Sequence, residues 1–569
     1  MMRTKLPALF AAATLLTFAA LTLPAGADAS PTHREPLTHG PVVWYEDDRN
    51  DIEEPEERDP SLLGDIMRVS FVFPTGRNLE PATNVRRVGR WLGLNRELYP
   101  ESRNVNALDE VPNSSWFTNR IGLAPMTAEE MRAGSGGAPP DTSGPWTIIR
   151  AKTEGVTPGF TIRDREGGTY LIKFDRPEFP RMSTGAGVIT ARLFHAIGYN
   201  VPQDFAIRMN RDWLQIGEKA TIKEHGEKVP MQERHIDAML ERVARADDGL
   251  YYAIASKYVN GKPIGPFNYR GRRDDDPNDH VDHQHRRELR ALNIVSSWVN
   301  HFDTKQHNSL DVYTEENGNR FVKHYLIDFA STIGTGAGIR GPRPQFGYEY
   351  GFNAPNVGKR LLSLGLWEDP WRTLELSDDP ALAEVGYWQT DIYEPRAFQP
   401  ALTNTAFAHC TERDGYWAAK IISAIPDELC RVAAEQADFE SDRATEFVGD
   451  ILIERRDMIA RSYFLVSGGV DFFRADGGTV TAKDLGVERN LWTAGETQYR
   501  ARVRPVDADR NALEEQDWRE ISSPRFTMPD GSSEFVEIEL QVRRGDSGWS
   551  RSTRSYWSRP TQQIVAVER

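Results

Sequence analysis

Residues 146–197 constrain the fold more than any other stretch. Three short runs rich in β-branched and aromatic residues, Trp146–Lys152, Phe160–Asp164 and Thr169–Asp175, are separated by the turns Thr153–Gly159 and Arg165–Gly168. Each run has the length of a strand, and the glycines between them mark reversals. Met182–Ile197 follows, with Val188, Ile189, Leu193 and Phe194 at helical spacing and Gly198 to end it. A further strand is expected at Phe205–Met209. Strand, glycine turn, strand, turn, lysine-bearing strand and helix is an α+β beginning. The lysine is Lys173, which alternation places on one strand face with Leu171. A lysine on a mostly buried face calls for a negative partner, unless it is an edge residue reaching water.

A second stretch carries the chemistry. Arg286–Val299 reads as a helix, with Leu289, Leu292, Val295 and Trp298 recurring at threes. The polar segment His301–Asp311 (HFDTKQHNSLD) follows at once. Strands are then expected at Leu310–Tyr313 and Arg320–Phe329, turned at Glu316–Asn319. Such a hairpin brings Asn308 and Asp328 together across nineteen intervening residues. Phosphoryl transfer requires phosphates held, a divalent metal placed, charge neutralised and an acceptor oriented. Asp303 suits the acceptor proton, and Lys305 suits charge neutralisation. Asn308 and Asp328 are hard oxygen ligands for Mg²⁺. Lys173 would meet the nucleotide phosphates, with Gly155 and Gly159 letting a turn backbone approach them. The turn lacks the GKS ending of a P-loop. His301 and His307 have no third histidine at ligand spacing, and His280, His283 and His285 read as a solvated tract.

These residues resemble the HipA-like, atypical branch of the protein-kinase-like superfamily and secreted bacterial proteins of the same layout. Asp303, Lys305 and Asn308 match the spacing of its catalytic loop, Asp328-Phe329-Ala330 stands at its Asp-Phe-Gly, and Lys173 matches its third-strand lysine. The resemblance covers about 145–465. It implies a bilobal kinase-like fold, ATP or another nucleotide, Mg²⁺ or Mn²⁺, and transfer to a hydroxyl of a protein or small molecule. One departure stands out. The family pairs its strand lysine with a glutamate on the following helix, whereas Met182–Ile197 has no acidic residue and Gly187 occupies the expected position. Glu178 and Glu218 are the candidate substitutes. A secreted pseudokinase, an envelope binding protein and a nucleotidyl (AMP) transferase remain as alternatives.

The rest of the 569 residues frames this unit. Residues 1–29 read as a signal peptide: Arg3 and Lys5, the apolar run Leu6–Leu23, then Ala27-Asp28-Ala29, with Ala25-Gly26-Ala27 as an alternative cut. That predicts a secreted or periplasmic protein without a later transmembrane segment. Residues 30–144 are expected to be an extension and linker, its acidic run Glu46–Asp59 solvated and Met67–Phe73 a strand. The small lobe is placed at 145–211 and a mostly helical large lobe at 212–471. A β-rich domain, suited to glycan or protein contact, is placed at 472–569. The formal net charge of -15 weighs against nucleic acid or anionic membrane as the main partner unless positive charge is gathered locally. Cys410 and Cys430 could pair in an oxidising compartment, though sequence separation does not fix the geometry.

Overall fold

The computed structural model describes residues 35–75, 80–91, 97–152, 157–224, 227–336, 341–351, 354–364 and 366–569. The expected signal peptide lies outside them.

The first three runs form strands β1 (Trp146–Ala151), β2 (Gly159–Arg163) and β3 (Thr169–Phe174), paired antiparallel in sequence. Helix α1 (Met182–Ile197) follows, then β4 (Asp204–Met209), β5 (Leu214–Ile216) and β6 (Tyr251–Lys257). The six strands make one sheet in the order β4-β6-β3-β2-β1-β5. One face is apolar. Trp146, Ile148, Phe160, Ile162, Tyr170, Ile172 and Phe174 pack there under the helix Glu233–Leu240, which contributes Ile236, Met239 and Leu240. Helix α1 packs on β4 and β6 and shares the core of the large lobe. Asp175 starts it: one carboxylate oxygen accepts from the backbone N–H groups of Ser183 and Thr184, and the other from the Thr184 hydroxyl. These bonds occupy amide donors that a helix start otherwise leaves orphaned.

The large lobe is built on α2 (Arg287–Val299), the hairpin β7 (Ser309–Glu316) and β8 (Asn319–Leu326), and the helices α3 (Glu412–Ile422), α4 (Asp427–Glu435) and α5 (Asp442–Ser467). The architecture is α+β, and the loop after α2 leads into the β7–β8 hairpin. A third, β-rich unit follows. Its sheets are β9 (Val470–Asp476) with β10 (Thr479–Asp484) and a short strand Arg525–Thr527, and β11 (Thr497–Val506), β12 (Phe535–Arg544), β13 (Thr553–Ser558) and β14 (Gln563–Glu568) edged by Arg519–Ile521. Val470, Val480 and Phe526 of one sheet pack against Val536, Ile538, Leu540 and Trp557 of the other.

Three expectations fail in whole or in part. Met67–Phe73 is not a strand: an α-helix Leu62–Met67, capped by the Ser61 side chain on Gly64 N–H, runs into a π-helical turn Arg68–Val72. Its apolar residues recur at fours, which outweighs the β-branched composition. The acidic run is docked rather than solvated. Glu46 pairs with Arg286 at 3.1 Å, Asp51 with Arg320 at 3.2 Å, and Ile52 packs on Ile264 and Val322. Of the histidine tract, His280 is exposed as expected, but His283 is buried, 2.8 Å from Asp279 and edge-on to Trp116. The two cysteines are both free, with Cys430 buried.

Buried charge joins the units. Asp109, in a left-handed backbone conformation (φ 64), accepts from Arg287 at 2.6 Å, Arg413 at 2.8 Å and Arg569 at 3.1 Å. Arg569 also reaches Asp471 at 2.7 Å, and Lys420 bridges Asp471 and Glu110. Residues from the extension, the large lobe and the β-rich unit thus share one ionic cluster.

Candidate functional site

Helix α2 ends at Asn300, whose left-handed conformation (φ 54) turns the chain out of the helix. His301 N–H returns to the Ser296 carbonyl at 2.8 Å. The segment beyond carries Asp303, Lys305 and Asn308. The Asn308 amide nitrogen donates to the Asp303 carbonyl at 2.6 Å, which leaves its Oδ1 without a protein donor among the described residues. The Lys305 ammonium lies 2.6 Å from the Asp303 carboxylate. The β7–β8 ladder, with Ser309 opposite Leu326, then sets Asn308 beside Ile327, whose N–H donates to the Asn308 carbonyl at 3.0 Å. Asp328 follows in a left-handed conformation (φ 62) and takes the Lys173 ammonium at 2.8 Å. Strand β3 of the small lobe and the hairpin of the large lobe therefore meet through one ion pair.

The surroundings hold α1 against this site. Phe194 packs on Phe329 at 4.9 Å between centroids, and the buried His301 ring stands edge-on to Phe329 at 5.7 Å. The hydroxyls of Thr190 and Thr332 are 2.8 Å apart, and Thr332 also donates to the Ala186 carbonyl. At Gly187 an added Cβ would sit 3.0 Å from Ile254 Cδ1 and 3.8 Å from the Phe329 backbone. Any side chain there would require the Ile254 methyl to give way by a few tenths of an ångström.

The carboxylates around Lys173 accordingly come from elsewhere. Glu178 is exposed and paired with Arg176 at 3.1 Å, and Glu218 makes no ion pair among the described residues. Asp328 and the buried Asp204 take the role. Burial pulls the Lys173 ammonium down, but Asp328 and then Asp204 more than offset it, so its pKa is raised. Burial pushes the Asp328 carboxyl up, and Lys173, Lys152 and Lys305 outweigh it, holding it at about 2. Asp204 goes the other way. Burial raises it to about 6 against a Ser256 hydrogen bond and the charge of Lys173, and its Oδ1 has no hydrogen-bond partner. Lys173 thus sits between a carboxylate that is always charged and one poised near neutrality.

A raised carboxyl stabilises the folded state below its unfolded pKa, and this contribution fades as pH rises through the folded value. Asp204 should therefore cost the fold up to about 3 kcal/mol between pH ~4 and ~6. Asp204→Asn is expected to flatten that slope in urea unfolding midpoints measured across this range. An unchanged slope would exclude Asp204 as its source.

Neither Asp204 nor Lys152 was singled out from the sequence. Lys152 immediately follows β1, and Asp204 opens β4, facing Ser256 of β6. Only the sheet order, with β6 between β3 and β4, brings Asp204 near Lys173. Gly159 pairs with Lys173 across β2 and β3, and a Cβ there would lie 2.2 Å from the Ile172 carbonyl oxygen. Strand pairing alone therefore demands glycine at 159; Gly155 lies outside the described residues. His307 is engaged by the Pro60 carbonyl at 3.0 Å. No group of three or more His, Cys, Asp or Glu among the described residues is placed to hold a metal. An ionised carboxylate and an amide oxygen, Asp328 and Asn308, instead suit a hard cation that draws its other ligands from phosphates and water.

No family model matches the chain, and no curated protein matches it. Among solved structures it is similar to the Helicobacter pylori proinflammatory kinase CtkA, at 11% identity over 56% of this chain and 95% of that one, with a TM-score of 0.29. It is similar also to the Golgi casein kinase with Mn/ADP bound, at 10% identity over 56% and 73% of the two chains, with a TM-score of 0.28. Likeness at this level assigns no role to any residue.

Proposed function

We propose that this protein is a kinase-like phosphotransferase moving a phosphoryl group from a nucleotide, ATP in the first instance, to a hydroxyl. The observation that carries the reading is the Lys173–Asp328 pair, 2.8 Å across the lobes, with Asp303 and Asn308 on the adjoining loop. Lys173 binds the anionic oxygens of the nucleotide, and Lys152 adds positive charge nearby. Asp328 and Asn308 would hold Mg²⁺ or Mn²⁺, which when bound neutralises phosphate charge. Asp303 orients the acceptor hydroxyl and takes its proton as the new O–P bond forms and the bond to the leaving nucleotide oxygen breaks. Lys305, against the Asp303 carboxylate, balances the charge of the transferred group. We further read the chain as a secreted or periplasmic relative of the HipA-like branch, on the motifs and leader described above.

Calorimetric titration with ATP, with and without Mg²⁺ or Mn²⁺, tests the site beside Asp328→Ala. Metal-dependent binding that the substitution abolishes is the expected result. Absence of binding to the unsubstituted protein would overturn the reading. Where transfer follows, the mass of the product separates phosphoryl from nucleotidyl transfer. Binding without transfer identifies a pseudokinase.

A further inference from the structure

Thirteen of the nineteen large apolar side chains that stand exposed among the described residues lie on three short helical segments or just beyond the last of them. Such clustering is not the scatter of single apolar residues normal for a soluble surface. On Leu62–Met67 and the turn Arg68–Val72, the residues Leu63, Met67 and Phe71 recur at fours. On the helix Pro81–Trp91, Val85, Val88 and Trp91 recur at threes, and Trp91 is 83% exposed. The third segment is the helix Ala354–Leu362. Leu362, Leu364 and Leu366 at its end are 90%, 92% and 88% exposed.

The charged residues on the second and third segments are basic. Pro81–Trp91 carries Arg86, Arg87 and Arg90, and Ala354–Leu362 carries Lys359 and Arg360; neither helix contains an aspartate or glutamate. Lys359 stacks over Trp367 at 4.8 Å. Arg360 is paired with Glu349 and Asp369, which leaves Arg86, Arg87, Arg90 and Lys359 as local positive charge on a chain whose formal net charge is -15. Arginine and lysine beside outward leucine and tryptophan are the composition of helices that lie in a lipid interface.

The first and third segments flank one loop, and the second shares a cleft with it, Thr83 and Arg86 standing beside Thr403 and Thr405. The Thr403 hydroxyl donates to the Val69 carbonyl, and Gly351 N–H donates to the Ala401 carbonyl at 2.8 Å. Ala401 N–H in turn donates to the Phe302 carbonyl at 2.8 Å, next to Asp303. No helix among the described residues is long and apolar enough to cross a membrane, so attachment here is to a surface.

We propose that these three segments dock the protein on an anionic phospholipid bilayer, with the loop bearing Asp303 and Lys305 beside the lipid surface. The apolar side chains enter the headgroup boundary, and Arg86, Arg87, Arg90 and Lys359 face the phosphates. The inference does not depend on phosphotransfer, because it rests on side chains outside the ion-paired site.

The test is sedimentation of the mature full chain with vesicles of phosphatidylglycerol and phosphatidylcholine, against vesicles of phosphatidylcholine alone. Binding to the anionic vesicles is expected, weakened at least about 10-fold by Leu362→Glu with Leu366→Glu, and likewise by Trp91→Glu. These positions are exposed, so unfolding midpoints and ATP affinity should not move. Leu513→Glu, on an exposed leucine of the β-rich unit, should bind as the unsubstituted protein does. Failure of the unsubstituted protein to sediment with anionic vesicles overturns the proposal. So does equal binding to both vesicle types, or retained binding in the glutamate variants. Concentration-dependent dimers that Leu362→Glu dissolves, without vesicle binding, would assign the face to a second copy of the chain.

Discussion

Asp303→Ala is expected to lower phosphoryl transfer by about 10²–10⁴-fold, the usual range for removal of a positioned general base. Nucleotide and metal affinity should stay within about twofold, because the side chain touches Lys305 and neither Lys173 nor Asp328. Its backbone carbonyl, which holds Asn308, is unaffected by the substitution. Transfer to the protein itself, or slow turnover of ATP, supplies the readout before an acceptor is found. Asp303→Asn should fall nearly as far, since an amide cannot take the proton. Undiminished turnover in either variant would move the base elsewhere and sink the assignment. Asp328→Ala differs in kind: it should remove binding and transfer together, and it leaves Lys173 without its partner at 2.8 Å.

The largest expected effect on stability lies well away from that site. Asp109→Asn should destabilise the fold by about 3–5 kcal/mol, as does removing one partner of a buried ionic cluster. Three guanidinium groups, from Arg287, Arg413 and Arg569, converge on this carboxylate. Burial pushes Asp109 up, but those cations hold it far below the ordinary carboxylate range. A depressed carboxylate stabilises the fold above its unfolded pKa and loses that contribution as pH falls toward its folded value. The deficit of Asp109→Asn should therefore be full above pH ~4 and shrink only in stronger acid. Urea unfolding at pH 7 and at pH 3 measures both. A variant within about 1 kcal/mol of the parent at pH 7 would show that the cluster behaves as a surface pair does.

The parts legible in the sequence are those fixed by neighbours along the chain. Strands β1 to β3 are set by glycine turns, α1 by its spacing and Gly198, and the β7–β8 hairpin by Glu316–Asn319. Each lies within a residue or two of its expected bounds, apart from the hairpin, whose first strand is longer than expected and whose second ends at Leu326, three residues before the expected Phe329. The nearness of Asn308 and Asp328 followed from that hairpin. What was not legible depends on contacts between distant residues. The acidic run looked solvated because its partners Arg286 and Arg320 lie more than two hundred residues away. The tract around His283 looked polar for the same reason. Asp204 gave no local sign, since its proximity to Lys173 depends on β6 pairing with both β3 and β4. Gly187 was read as a missing acid. In the structure Asp328 and Asp204 supply the charge around Lys173 instead.

The Asp109–Arg569 contact, spanning 460 residues, also bears on the order in which the protein is made. A chain emerging from its N-terminus presents Asp109 early and must wait for residue 569 before the last of the three cations arrives. Until then Arg287 and Arg413 can gather, but the join to the β-rich unit stays open. Contacts of such separation form late and slowly. The large lobe would reach its final packing only once synthesis has passed the last strand, and any stall before it would leave buried charge exposed to quality control.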